Sequence, residues 1–475
     1  MLPVVPTGDF TNTLDDKLAV CRSFGVRTML TIKGNRRFQK CNGFSRRNFL
    51  QVGTLGLGGL ALSDLMRADA SEFTNRIASN KSVILYWLDG GPTHMETYDP
   101  KPEAPAEYRG PLGVTQTNVP GIQLSELLVE HAKVMDKFSV IRSMHHDNGD
   151  HFAAAHWMLT GFHGSNAANR DPQYPSVGSI VTKTTGPKNS SLPAYVAVPH
   201  ASTVGINPGY NSGAYLGSTY DPFQTTGDPN AANFQVRNLN LPNEVTIERM
   251  GDRKSLLTNF DRLRRDVDQS GLVESLDRFN IEAMELVTGQ SARQAFNINS
   301  EDPKTRDRYG RNTYGQSALL ARRLVEAGVR FVTIHNGGWD HHSNIEAGMK
   351  SRLPSMDQSI GMLIEDLSQR GLLDDTIICV MGEFGRTPRV NGSAGRDHWG
   401  NVMSVLLGGG GLKGGQAVGA SNSKGEYPAE DPVMPADVLA TIYHTFGINM
   451  DTAFPNHAGR PIPINNSGKP IRQLV

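Results

Sequence analysis

Three largely apolar runs, the first of them continuous and each followed closely by an acidic residue, constrain this chain more than any other feature. Ser82 to Leu88 leads into Asp89-Gly90-Gly91-Pro92, Val329 to Ile334 into Gly337-Gly338-Trp339-Asp340, and Thr376 to Met381 into Gly382-Glu383. A run that is apolar at every position has no wet face. It reads as a strand covered on both sides, as in a parallel sheet sandwiched by helices. Val402 to Leu407, closed by Gly408 to Gly411, reads as a fourth strand; Ser139 to Ser143 and Tyr195 to Pro199 are shorter ones. Helical periodicity covers Leu124 to Phe138, Phe152 to Leu159, most of 243–327 (Gln316 to Ala327 above all), 344–371 with a kink at Pro354, and Pro435 to Phe446. Strands alternating with helices predict an α/β fold, a mostly parallel central sheet flanked by helices. A single large domain over 80–465 is expected, with loop and helical insertions around 201–327.

Composition narrows the function. Lys plus Arg and Asp plus Glu are both 47 in 475 residues, and a zero balance speaks against a nucleic-acid partner. An apolar share of 38% supplies a core but no set of membrane spans. Of the three cysteines, Cys21 and Cys41 lie in the N-terminal leader, so neither a disulfide framework nor a cysteine-rich zinc site is expected.

The leader carries Ser45-Arg46-Arg47-Asn48-Phe49-Leu50, which looks like the twin-arginine export consensus. The apolar run Val52 to Leu62 is too short for a stable span, and Ala68-Asp69-Ala70 reads as an A-x-A cleavage site. Residues 1–70 are therefore expected to be a twin-arginine signal region, cleaved near Ala70. The expected location is periplasmic or extracellular, with the translocation machinery as a partner and no integral span in the mature chain. The remaining chain would hold 37 basic and 42 acidic residues and all fourteen histidines.

In an open parallel sheet, ligands bind outside the carboxyl ends of the strands. Asp89, Asp340 and Glu383 are thereby expected to converge, with His341, His342 and His398 nearby. Carboxylate with imidazole suits Zn²⁺, Mn²⁺ or Fe, whereas carboxylate alone suits Mg²⁺ or Ca²⁺. A second cluster runs from Arg142-Ser143-Met144-His145-His146 to His151, with His156 beyond it, a density that suits an anion or metal site. His335 reads equally well as a satisfied core histidine. His94, His131, His163, His200, His444 and His457 read as isolated.

Several of these motifs together resemble a known family. They are Asp89-Gly90-Gly91-Pro92-Thr93-His94 with Asp99-Pro100-Lys101, Arg142-Ser143-Met144-His145 with His151 and Thr160-Gly161, and Trp339-Asp340-His341-His342. Gly382-Glu383-Phe384-Gly385-Arg386-Thr387-Pro388 and Gly395-Arg396-Asp397-His398-Trp399 complete the set. The chain resembles the secreted domain of unknown function 1501 family, a branch of the alkaline phosphatase and sulfatase superfamily. The resemblance implies that fold and one or two divalent metals, with Zn, Mn, Mg and Ca all open. It implies Asp89, Asp340, His342, Glu383 and His398 as ligands, with His341 and Asn344 as alternatives to His342.

Three departures accompany the resemblance. Phe384 stands where the superfamily has a metal histidine. The sulfatase Cys-x-Pro-x-Arg motif does not occur. Counting back nine residues from Thr160, the superfamily's spacing to its nucleophile lands on His151, a ligand or a nucleophile at a helix start that favours its neutral form. Ser143 and Thr93 are fallback hydroxyls. The implied activity is that of an exported metal-dependent hydrolase of phosphate or sulfate esters. His151 would lie at the reacting centre and Arg142 or Arg386 would clamp the anionic group of a small-molecule or glycan ester. The alternative is a non-catalytic exported binding protein on the same fold.

Overall fold

In the computed structural model, residues 79–236 and 289–475 are described. The leader with its Arg46-Arg47 pair and Ala70, and the helical stretch expected over 243–288, lie outside them. The described residues belong to one compact unit, Arg76–Val475.

The continuous apolar runs become the middle of an eight-stranded sheet. Its strands are β1 (Ser82–Asp89), β2 (Phe138–Met144), β3 (Tyr195–Val198), β4 (Phe223–Gln224), β5 (Phe331–Gly337), β6 (Thr376–Met381), β7 (Met403–Gly409) and β8 (Ala417–Val418). Their order across the sheet is β8-β2-β7-β6-β1-β5-β3-β4. β1 lies between β5 and β6, parallel to both, with Asp89 opposite Gly337. The pairs β5–β3, β3–β4 and β2–β8 are parallel too.

Side chains along β1 alternate between two buried cores, as a strand covered on both faces requires. Ile84, Tyr86 and Leu88 enter one core with Leu320 and Leu324 of helix α3 (Thr313–Ala327) and Leu353, Ile360 and Leu363 of α4 (Ile345–Gln369). Val83, Leu85 and Trp87 enter the other. There they meet Ala155 and Met158 of α1 (His151–Thr160), Val177 and Ile180 of α2 (Val177–Thr185), and Leu439 and Ile442 of α5 (Pro435–Phe446). The fold is a helix–sheet–helix sandwich of the expected α/β class.

Local details refine the sequence reading. The segment expected as one helix from Leu124 to Phe138 is a short strand, Gln123–Ser125, then a helix Val129–Lys133 and a 3₁₀ turn. α4 continues through Pro354 as one helix of 25 residues. β7, expected as a fourth strand, runs antiparallel to both neighbours, β6 and β2. Its amino end therefore lies at the edge where β1, β5 and β6 have their carboxyl ends.

Candidate metal centre

That shared edge collects the site. Gly90 has φ +114°, and a Cβ there would come within 2.7 Å of the Asp340 backbone N. Glycine lets the loop after β5 lie directly against the end of β1, and the Trp339 N–H donates to the Asp89 carbonyl at 3.1 Å. His398 arrives from the opposite direction. It precedes β7 in a two-residue ladder, His398–Trp399 against Gly385–Arg386, so the reversed strand delivers it to the same edge. His151 is the first residue of α1, whose N-cap Asp150 accepts from the Ala153 N–H at 2.9 Å and whose end is closed by Gly161 in the left-handed conformation.

Asp340 is the point of convergence. His342 Nε2 is 2.9 Å from its Oδ1, His398 Nε2 3.3 Å from the same oxygen, and His151 Nε2 3.5 Å from Oδ2. The other nitrogen of each ring faces an acceptor. His151 Nδ1 is 2.7 Å from Glu383 Oε1, His342 Nδ1 is 2.7 Å from Asp397 Oδ1, and His398 Nδ1 is 2.8 Å from the Gly149 carbonyl. A carbonyl or carboxylate can only accept, so each Nδ1 carries a proton, and each Nε2 is aimed at the Asp340 carboxylate, where a proton or a metal ion can sit. The Nε2 atoms of His342 and His398 lie 3.0 Å apart. Two bare nitrogens at that distance repel unless a proton or a cation sits between them.

His151, Asp340 and His398 present ligand atoms all within 4.8 Å of one another. Together with His342, these residues fit a divalent metal: three imidazoles and a carboxylate, each ring held by a partner at its far nitrogen. Phe384, fully buried, closes the apolar side, its ring 4.8 Å from that of His151 and 4.5 Å from that of His398.

Electrostatics follow from this crowding. Burial works against the charge on Asp340, but His151, His398 and Arg386 outweigh it and hold the carboxyl well below the usual carboxylate range. Burial pushes the Glu383 carboxyl up, against the pull of His151. Burial would lower the His151 imidazole, yet the Asp340 and Glu383 carboxylates raise it to about 9. This reverses the expectation from the helix start, because two carboxylates in contact outweigh a terminal dipole. A cation among the three imidazoles would compete with that proton.

The structure gathers Asp340, His342 and His398 of the expected ligands and adds His151. Glu383 stands behind His151, and its carboxylate also takes the Gly90 N–H at 2.9 and 3.1 Å. Asp89 faces another way. It accepts from Trp87 Nε1 and the Val204 N–H, both at 2.9 Å, and lies 3.3 Å from His335 Nε2. Burial would raise its carboxyl, but the hydrogen bonds from His335, Val204 and Trp87 hold it below the ordinary value. His341 turns back to the Trp339 carbonyl, and Asn344 caps α4.

Neither expected arginine is free for an anion. Arg142 donates to the carbonyls of Tyr98 and Gln123 at 2.8 and 2.6 Å. Arg386 is buried among the carbonyls of Gly90, Gly91 and Arg396, with Asp340 Oδ1 at 2.6 Å. The fallback hydroxyls are also engaged, Ser143 with the Asp431 carbonyl and Thr93 with Glu96.

Three supports surround these residues. Asp397, next to His398 in the chain, orients His342. His146 donates from Nε2 to the Glu383 carbonyl at 2.7 Å and accepts the Asn148 N–H at Nδ1. His200, read as isolated, lies with its ring 4.3 Å from that of His335. Of these, His146 already stood in the dense run from Arg142 to His151, and Asp397 is legible as a carboxylate beside a ligand histidine.

The fold and this centre define an α/β protein with a histidine-rich cluster at the carboxyl edge of its sheet. Residues 80–475 match the family described as protein of unknown function (DUF1501), and the chain belongs to that family. No curated protein matches the chain.

Among solved structures, it is similar to the lipoteichoic acid synthase LtaP from Listeria monocytogenes (10% identity, 82% of this chain and 76% of that one, TM-score 0.33). The phosphonate monoester hydrolase SpPMH from Silicibacter pomeroyi is similar at 11% identity, with 82% and 76% covered and TM-score 0.32. A protein in the alkaline phosphatase superfamily from Vibrio parahaemolyticus is similar at 10% identity, with 78% and 67% covered and TM-score 0.37. Likeness at that level is too low to transfer an activity. No helix among the described residues is long and apolar enough to cross a membrane.

Proposed function

We propose that the protein is a metal-dependent hydrolase of phosphate or sulfate esters, exported by the twin-arginine route to the periplasm or beyond. Its metal would be held by His151, Asp340, His342 and His398. The observation that carries this reading is the convergence of three Nε2 atoms on the Asp340 carboxylate. A donor set of three imidazoles and one carboxylate favours Zn²⁺ or Mn²⁺ over the oxygen-seeking Mg²⁺ and Ca²⁺.

A divalent ion there supplies Lewis-acid polarisation of an ester oxygen. Glu383, Asp397 and the Gly149 carbonyl hold the three Nδ1 protons in place, so the Nε2 atoms are already aimed at one point. Arg386 fixes Asp340 against the end of β1. His151, with both nitrogens engaged, acts as a ligand in this reading. The motif resemblance to the alkaline phosphatase and sulfatase superfamily supplies the ester class.

Metal analysis of natively exported protein, followed by a screen of aryl phosphates, phosphodiesters and aryl sulfates, tests the reading. Bound Zn²⁺ or Mn²⁺ with turnover of one ester class is expected. No bound metal, and no thermal shift with added Zn²⁺ or Mn²⁺, would overturn it. Metal without turnover would select the non-catalytic binding protein instead.

A further inference from the structure

A tryptophan and a tyrosine meet at the surface where the chain needs neither for its core. We infer that Trp399 and Tyr427 form a platform that binds a carbohydrate chain, a site separate from the metal centre. That the chain carries the ester to be cleaved rests on the hydrolase reading; the platform itself stands on its own observations.

First, the rings are wet and paired. Among the described residues three large apolar side chains are exposed, and Tyr427, at 51%, is the only aromatic one. Of the four tryptophans, Trp87, Trp157 and Trp339 are buried, and Trp399 is partly exposed. The Trp399 and Tyr427 rings lie 5.7 Å apart between centroids, with planes at 60°. Single exposed rings are ordinary, but a pair of the largest ones left in water marks a contact surface.

Second, the pair is fixed before anything binds. Trp399 Nε1 donates to the Glu426 carbonyl at 2.7 Å, which holds the indole in one orientation. Tyr427 lies in the tip of a hairpin, Ala420–Ser421 against Pro428–Glu430. Across that tip Asn422 Oδ1 accepts the Glu426 N–H at 2.7 Å, and the Asn422 N–H donates to the Tyr427 carbonyl at 2.9 Å. Buried His94 donates from Nε2 to the Gly425 carbonyl at 2.9 Å. Gly425 has φ +68°, and a Cβ there would collide with Met95 Sδ, so glycine lets the tip sit down on the body of the protein. Rings placed in advance lose little freedom on binding.

Third, the chemistry of the tip selects the ligand. Before Tyr427 it reads Asn422-Ser423-Lys424-Gly425-Glu426, an amide, a hydroxyl, one cation and one anion. Glu426 Oε2 accepts from Asn422 Nδ2 at 3.1 Å, and its Oε1 has no hydrogen bond among the described residues. A sugar ring shows C–H bonds on its faces and hydroxyls at its rim. Aromatic faces suit the first, and donors and acceptors without net charge suit the second. A nucleic acid or an anionic membrane would call for a basic excess instead. In its two-residue ladder His398 stands opposite Arg386 and Trp399 opposite Gly385. Successive side chains of a strand point to opposite faces, so Trp399 is turned away from Asp340, and a ligand that uses both places is a chain rather than a single ring.

The experiment is affinity electrophoresis of the full mature chain through native gels that hold dextran, laminarin, xylan, heparin or dextran sulfate, with a polysaccharide-free gel as reference. Retardation of the wild type by at least one of them is expected. Tyr427→Ala should weaken it about two- to tenfold, the range that a single aromatic contact commands, and Tyr427→Phe should restore it. Binding should also change the tryptophan emission, since the other three tryptophans are buried. Trp399→Phe should keep a measurable retardation and lose that optical response. Metal content and melting temperature should be unchanged in Tyr427→Ala, which separates recognition from a structural role.

On a polysaccharide-borne ester that is turned over, Tyr427→Ala should raise KM, while KM for an aryl ester stays as in the wild type. No retardation in any of the gels, or equal retardation of wild type and Tyr427→Ala, would overturn the inference. So would a dimer that falls apart in sedimentation when Tyr427 is replaced by Ala, because a second copy would then cover the pair. Retardation that depends on Tyr427 in a protein without metal or turnover would remove the hydrolase reading and leave the platform standing.

Discussion

Asp397→Asn separates the metal centre from the fold. Asp397 touches no metal donor oxygen; it accepts the Nδ1 proton of His342 at 2.7 Å and is itself steadied by Asn391 Nδ2 at 3.3 Å. The hydrogen bond from His342, with its charge beside it, holds the carboxyl below the usual range. Replacing carboxylate by amide keeps the shape and removes the charge that makes His342 Nε2 a strong donor. Loss of such an orienting partner typically weakens metal binding about 10–100-fold, roughly 1.4–2.8 kcal/mol. The side chain is 54% exposed, so the metal-free protein should change by less than about 1 kcal/mol. Chelator-competition titration with Zn²⁺, run beside urea unfolding of the metal-free protein, reads both quantities. Glu383→Gln is the contrast. Glu383 is fully buried, and an amide there sets an N–H against the Gly90 N–H or the His151 ring. It should lose Zn²⁺ affinity and also about 1–3 kcal/mol of stability. If Asp397→Asn and Asp397→Ala both bind Zn²⁺ like wild type, His342 is not a ligand oriented by this carboxylate. If instead affinity and metal-free stability fall together, Asp397 acts on the fold.

His151→Ala should lower metal occupancy, while His151→Ser should not produce a faster phosphatase; full occupancy and full activity in His151→Ala would refute both the ligand and the nucleophile role. Arg142→Ala should leave metal content intact yet destabilise by roughly 1–3 kcal/mol, because two charge-assisted hydrogen bonds to buried carbonyls are lost; a drop in metal content without a stability change would reverse that assignment. Burial lowers the imidazoles of His94 and His156 from 6.5 to about 4. The unfolded chain takes up these protons first, so their contribution is complete above pH 6.5 and is lost as pH falls toward 4, on the order of 3 kcal/mol for each. Urea midpoints that stay flat from pH 7 to 4.5 would contradict this. Arg46→Lys with Arg47→Lys should abolish export, since the receptor reads guanidinium geometry; normal periplasmic levels of the double variant would remove the twin-arginine assignment.

The sequence by itself determined which strands are buried on both faces and where the acidic residues emerge. An all-apolar strand such as Val83 to Leu88 has no alternative to burial, and the glycines after it admit the close turn that Asp340 needs. The helix over Phe152 to Leu159 was also legible, and the structure begins it one residue earlier, at His151. The direction of β7 belonged to tertiary structure, although a hint was present. A parallel connection needs a crossover, usually helical, and no helix forms between Gly382 and Val402, so the chain re-enters the sheet at the edge it left. That reversal brings His398 to Asp340. The fate of the arginines was beyond sequence reasoning. Arg142 takes carbonyls 44 and 19 residues away, and Arg386 takes those of Gly91 and Gly90, 295 and 296 residues away, so their partners are set by which loops meet in space. Local pattern decides what a segment is; which side chain meets which is decided by packing between distant segments, and the metal centre is made of such meetings.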